Sequence, residues 1–231
     1  MSAVEDALEA LKRGEFVLVF DAPDREGETD LIKPAIHTRP EDMSRMRNDG
    51  GGLIFMMVGH ETSEKLGLPF LSDLFYREGG RYPVLKELIP NDIPYDTKSS
   101  FSVPINHRKT FTGITDVDRA LTVRRFGEMA DEIPELTPIK AQRVFGQEFR
   151  APGHVAICRS SEHPLRDRFG HTELGVALMI MAGFTPVAVG CEMMTEGKAL
   201  PPEEARKYGE ENGLVFLEGK EVLEAWREWS G

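Results

Sequence analysis

Between Thr172 and Ala182 the chain reads Thr-Glu-Leu-Gly-Val-Ala-Leu-Met-Ile-Met-Ala, a helical stretch apolar on nearly every side and stopped by Gly183. A helix without a polar face is buried, so other elements must enclose it. Short apolar runs are the natural partners. Phe16–Phe20 and Leu53–Val58 read as buried strands, and Val155–Cys158, Pro186–Cys191 and Leu214–Leu217 as further short ones. Ser100–Ile105 alternates well enough to be another.

Helical patterns fall between these runs. Ser2 and Glu5 have the form of a capping box ahead of Val4, Ala7, Leu8 and Leu11, with Gly14 to close the helix. Thr38 and Glu41, with Pro40 between, start a second helix reaching about Asn48, where Gly50-Gly51-Gly52 breaks it. A third runs from Asp118 with Ala120, Leu121, Val123 and Met129 on its apolar side. Pro201–Asn212 is a polar helix, and Val222, Leu223, Trp226 and Trp229 line a closing one. Residues 60–98 alternate short helical patterns (61–66, 84–88) with Gly and Pro. Residues 132–150, with two prolines and mixed charge, read as an excursion from the core. The alternation of strand and helix predicts an α/β-like domain, and 231 residues suit one domain, 1–231.

Net charge is −11, which argues against nucleic acid or an anionic membrane as principal partner. Cys158 and Cys191 offer no disulfide framework, and a reducing cytoplasm is the simplest home. The N-terminus has no apolar signal core, and no apolar run approaches membrane-spanning length.

Chemistry concentrates after the first strand, in Asp21-Ala-Pro-Asp-Arg-Glu-Gly-Glu-Thr-Asp30. Asp24, Glu26, Glu28 and Asp30 are two apart, a spacing that an extended backbone would turn to one side. Such a row repels itself unless a cation, a proton or Arg25 compensates it. Mg²⁺ takes oxygen ligands of this kind. An acidic run is also commonly just a solvated loop, but the carboxyl end of a buried strand is where α/β sheets bind ligands.

Arg168-Phe169-Gly170-His171-Thr172-Glu173 is the second such stretch. A glycine at a helix N-terminus makes a phosphate cradle, with Arg168 adding charge, Thr172 a hydroxyl and His171 an imidazole. Taken singly, Thr172 could as well be a helix cap. His154, after Pro-Gly, and Glu192, ending a buried strand, are candidates for proton transfer. Their structural counterparts are a strand-edge histidine and a salt-bridged strand end. Thr110, Thr112 and Thr115 belong to a donor-rich loop that could also be plain turns.

In order, Asp-Arg-Glu-Gly-Glu-Thr-Asp (24–30), Thr-Gly-Ile-Thr-Asp-Val-Asp-Arg (112–119), Pro-Gly-His-Val (152–155), Gly-His-Thr-Glu (170–173) and Cys-Glu (191–192) closely resemble the 3,4-dihydroxy-2-butanone 4-phosphate synthases of riboflavin biosynthesis, with archaeal-like features. The resemblance implies an α+β fold, a mixed sheet surrounded by helices in a single domain. It implies conversion of D-ribulose 5-phosphate to 3,4-dihydroxy-2-butanone 4-phosphate and formate, with two Mg²⁺ or Mn²⁺ per site. It also implies a homodimer with sites at the subunit interface. Position by position, Glu26, His171 and Glu28 match metal ligands, and His154 and Glu192 the catalytic pair. Arg25, Asp30, Glu192 and the loop Arg168, Phe169, Gly170, His171, Thr172 match substrate contacts, and Thr110, Thr112, Thr115 and Asp21 lie where related enzymes touch substrate. Gly27 replaces a frequent asparagine, and Phe55 stands where a cysteine is frequent. With nothing after Gly231 resembling a cyclohydrolase domain, a single-function form is expected. A different metal-dependent phosphosugar isomerase or aldolase, or a metal-sensing module, would use similar residues; release of formate separates them.

Overall fold

The computed structural model describes residues 2–90 and 92–231. Its centre is a seven-stranded mixed sheet. The strands are β1 (Val17–Phe20), β2 (Thr29–Pro34), β3 (Phe55–Val58), β4 (Ile105–His107), β5 (Phe149–Arg159), β6 (Val187–Glu192) and, after the short ribbon β7 (Met194–Thr195) and β8 (Lys198–Ala199), β9 (Val215–Glu218). They lie in the order β4-β5-β3-β6-β2-β1-β9. β1 pairs parallel with β9, and β3 with β5; the other neighbours are antiparallel.

Alternation sorts the strand side chains into two cores. Val17, Val19, Ile32, Phe55, Ala156, Ala188 and Leu217 pack on one face against α1 (Ala3–Lys12), α8 (His171–Met181) and α10 (Gly219–Ser230). Leu18, Leu31, Met56, Val155, Ile157 and Val189 pack on the other against α2 (Pro40–Arg45), α6 (Asp116–Glu132) and α9 (Pro202–Asn212). α8 lies between sheet and outer helices, with His171 through Met179 all buried, as its composition demands.

The Ser2–Glu5 box caps α1 as expected. Four readings are corrected. The start of α2 is capped by Asp42, which accepts from the Arg39 amide at 2.7 Å, one residue later than the Thr38–Glu41 pair. Residues 138–148 form α7, with Pro138 in the first turn, packed on α3 (His60–Leu66) and β5. A proline there continues a helix rather than breaking it. The expected strand at 100–105 shrinks to a bridge at Phe101 and the short β4. The segment after α3 holds α4 (Leu71–Glu78) as well as the short α5 (Val84–Glu87).

β2 carries Asp30, Lys33 and Pro34 yet is buried throughout. Lys33 is held there by Asp42, 2.7 Å away.

Candidate active site

β1 and β2 form a hairpin whose connection, residues 21–28, hangs over the N-terminus of α8. The loop is tied by its own first acid. Asp21, buried, accepts from the amides of Glu26 at 3.0 Å and Glu28 at 3.1 Å. Gly27 turns the chain at φ +67°, a conformation that penalises any Cβ. The loop is therefore not extended, and the four alternating carboxylates do not form a row. Asp24 is exposed, whereas Glu26 and Glu28 are half-buried and Asp30 is wholly buried in β2.

His171 opens α8 and points into this loop. Its Nδ1 lies 3.3 Å from Glu26 Oε2, and its Nε2 lies 3.2 Å from the Val19 carbonyl and 3.6 Å from Asp30 Oδ1. Asp21, Glu26 and His171 each bring a ligand-capable atom within 4.8 Å of the others. Glu28 is not in that set; Asp21 joins Glu26 and His171 instead.

The acids compete for compensation. Burial opposes charge on His171, but Asp30, Glu26 and Asp21 outweigh it and push its pKa up to about 10. The hydrogen bond to His171 holds Glu26 below the ordinary carboxylate value against its own burial. Burial raises Asp30 well above its usual value despite His171, with Glu192, Glu26 and Glu28 adding to it. Burial raises Glu28 and Glu192 as well. Neither oxygen of Asp30 has a hydrogen-bond partner. The open carboxylate of Asp30 beside the cluster of Asp21, Glu26 and the His171 imidazole suits a hard divalent cation that accepts oxygen and nitrogen ligands.

Glu192 ends β6 on the same sheet face, and its Oε2 accepts from the Leu53 amide at 2.7 Å. It lines a narrow cleft with Glu26, Phe55, Ser100, Phe101, Cys158, Arg168, His171 and Thr172. Arg168 is gripped by the buried Glu173 at 2.6 Å and by Asp96 at 2.5 Å; Asp96 also reaches Arg25 at 3.4 Å. Gly170 is the N-cap of α8, and the Thr172 hydroxyl meets that of Ser100 at 3.4 Å.

The remaining candidates lie elsewhere. His154 is exposed on β5, where Asn106 Oδ1 accepts its amide at 2.8 Å and Asn106 Nδ2 sits 3.1 Å from its ring Nδ1. Thr115 caps α6 by accepting from the Asp118 amide; Thr112 hydrogen-bonds the Asp118 carboxylate; the Thr110 hydroxyl donates to the His107 carbonyl. Phe169, 40% exposed, faces a second cavity, which Asp21 and Arg25 also line, beside Leu165, Leu174 and Leu223. Asp96, Ser100, Cys158 and the Leu53 amide were not read from the sequence. A backbone amide carries no residue signal, Ser100 and Cys158 carry only that of a strand, and Asp96 sits in a segment without a recognisable pattern.

A profile described as 3,4-dihydroxy-2-butanone 4-phosphate synthase matches residues 5–225. The chain is 51% identical over 228 residues to the 3,4-dihydroxy-2-butanone 4-phosphate synthase of Methanothermobacter thermautotrophicus, covering 98% of this chain and 96% of that one. Among solved structures, it is similar to a cation-free form of such a synthase (TM-score 0.76, 28% identity, 100% of both chains). It is also similar to one in complex with two magnesium ions (TM-score 0.72, 29% identity, 95% of this chain and 94% of that one).

Proposed function

Because this chain belongs to the 3,4-dihydroxy-2-butanone 4-phosphate synthase family, we propose a division of labour among its residues for that family's reaction. The enzyme is a lyase that converts ribulose 5-phosphate to 3,4-dihydroxy-2-butanone 4-phosphate in riboflavin biosynthesis. One carbon is lost, leaving as formate, and the atoms balance without an outside oxidant.

The observation that carries the site assignment is Glu26 and His171 meeting at 3.3 Å with Asp21 beside them. Glu26 and His171, with Asp21 or Glu28, hold divalent metal, two Mg²⁺ or Mn²⁺ ions per site. When bound, the metal stabilises negative charge as it develops on adjacent substrate oxygens. Arg168, the amides from Gly170 to Thr172 and the Thr172 hydroxyl bind the phosphate at the positive end of α8. Arg25 and Asp30 hold the sugar hydroxyls. Glu192, fixed through one oxygen by the Leu53 amide, exchanges protons through the other. Phe55 and Phe101 keep that side of the cleft dry.

His154, Thr110, Thr112 and Thr115 serve the same reaction from a partner subunit, the sites of a homodimer lying at its interface. Phe111, 94% exposed, and the exposed Ile114 and Val117 beside those threonines support such a contact. The chain acts as a single catalytic domain, and its two buried free cysteines suit a reducing cytoplasm. No described helix is long and apolar enough to cross a membrane.

The test is formate release from ribulose 5-phosphate with Mg²⁺, with and without EDTA. Turnover that survives full chelation rejects the metal assignment.

A further inference from the structure

Arg168 is the cation assigned above to the substrate's phosphate, and the inference rests on that reading. Two carboxylates already hold it. Glu173 is wholly buried, and its other oxygen accepts from the Ser161 amide at 3.0 Å, so it is a fixed part of the scaffold. Asp96 is different. It belongs to residues 92–98, an irregular strap of bends, with Asp92, Pro94, Tyr95 and Thr97 exposed and Asp96 itself partly buried. Its Oδ2 takes the Arg168 Nε at 2.5 Å and the Arg25 Nη2 at 3.4 Å, while its Oδ1 accepts from the Thr97 amide at 2.8 Å. The strap is further drawn in by the Arg25 Nη1 contact to the Tyr95 carbonyl at 3.4 Å. A single carboxylate oxygen therefore bridges both arginines assigned to the substrate.

A guanidinium offers a limited fork of N–H donors. With Glu173 on Nη1 and Asp96 on Nε, a phosphate dianion meets a site that is already neutralised. It also meets a like charge within a few ångströms. Glu173 cannot move without leaving a buried carboxylate unpaired. Asp96, whose side chain is 10% exposed in this arrangement, can swing out with its strap, because water solvates the carboxylate once it leaves Arg168 and Arg25.

We propose that Asp96 is an internal competitor for the substrate's phosphate, setting affinity by occupying Arg168 and Arg25 until the anion displaces it. It is not a catalytic residue. The strap that bears it yields as substrate enters, so Asp96 occupies both arginines between turnovers and weakens phosphate binding.

The test uses the full chain with Mg²⁺ and inorganic phosphate as the probe, titrated by calorimetry. D96N is expected to bind phosphate about fivefold more tightly, the loss of one competing ion pair. KM for ribulose 5-phosphate falls in step while kcat does not rise. D96E, which keeps the charge, stays at wild-type affinity, and D96N adds nothing in an R168M background. If R168M weakens phosphate binding but D96N leaves it unchanged or weaker, Asp96 positions the arginines instead and the proposal is overturned. If R168M binds phosphate as wild type does, the phosphate assignment itself fails and takes the proposal with it.

Discussion

Asp30 and Glu192 stand directly opposite one another in the β2–β6 ladder, and both project toward α8. Like charges placed so are destabilising in a sheet. Burial deepens the conflict, since Asp30 is fully buried with neither oxygen hydrogen-bonded. Of the two, only Glu192 has a fixed donor, the Leu53 amide. A sheet retains this pair where positive charge belongs, and His171, 3.6 Å from Asp30, already brings some. The sheet's central strands thus carry the electrostatic demand, and the hairpin loop and α8 answer it.

Removing a ligand should therefore cost activity and leave the fold. Glu26→Gln and His171→Ala are each expected to lower formate production with Mg²⁺ by about 10³-fold or more, a loss of several kcal/mol of charge stabilisation. Mg²⁺ should raise the melting temperature of the wild type and not of either variant, since only a bound ion shifts unfolding. Near-normal turnover in either would reject the assignment.

The loop bearing Thr112 should come loose in acid. Asp118 accepts from the amides of Gly113 at 2.8 Å and Thr112 at 3.2 Å. The Gly113 amide above all holds its carboxyl below the ordinary value of 3.8, against slight burial. A depressed folded pKa means that the unfolded loop binds the proton more readily. The contribution is complete above the ordinary carboxyl value and is lost as pH falls through the lower folded one. The Gly113 amide resonance should titrate with a midpoint below 3.8 in the wild type. In Asp118→Asn that transition should vanish.

How much of this was legible in the sequence follows from where each signal resides. Glu26 and His171 lie far apart in the chain, yet each sits in a dense local motif, so both could be named without the fold. β2 could not. Its polar residues Asp30 and Lys33 are buried because one belongs to the site and the other is paired with Asp42, so the usual apolar signal is missing. The supposed row of acids failed for a local reason, as Gly27 and the Asp21 contacts curl the loop. α7 was hidden by Pro138, which marks a break inside a helix but a beginning at its first turn.

The buried pair in β2 makes a stability test. Lys33 is fully buried, 2.7 Å from Asp42 and 4.9 Å from the centre of the Phe16 ring. Lys33→Met should cost about 3 kcal/mol by leaving the Asp42 carboxylate without its buried partner. Adding Asp42→Asn should recover most of that loss, because an amide oxygen still serves the Arg39 amide. Urea denaturation of the single and double variants measures both. An equal loss in the two would mean that packing of the lysine stem, not charge, is what matters.

The glycine run after α2 separates fold from catalysis most sharply. Gly51 has φ +87° and open surroundings, with the nearest atom to an added Cβ, that of Met194, 3.8 Å away. Gly51→Ala should cost about 1–2 kcal/mol of stability through backbone strain and little activity. At Gly52 an added Cβ would lie 2.3 Å from Glu192 Oε2 and 2.9 Å from both its Cβ and its carbonyl oxygen. The carboxylate could escape by leaving the Leu53 amide, but the contacts with the Glu192 backbone would still shift the end of β6. Gly52→Ala should therefore lower kcat by about 100-fold, the scale of a misplacement near 1 Å. KM should change less, because Arg168 and the start of α8 are untouched. Steady-state formate assays beside melting curves distinguish the two outcomes. Should Gly52→Ala turn over normally, Glu192 would not need its hold on Leu53, and its place in proton transfer would have to be given up.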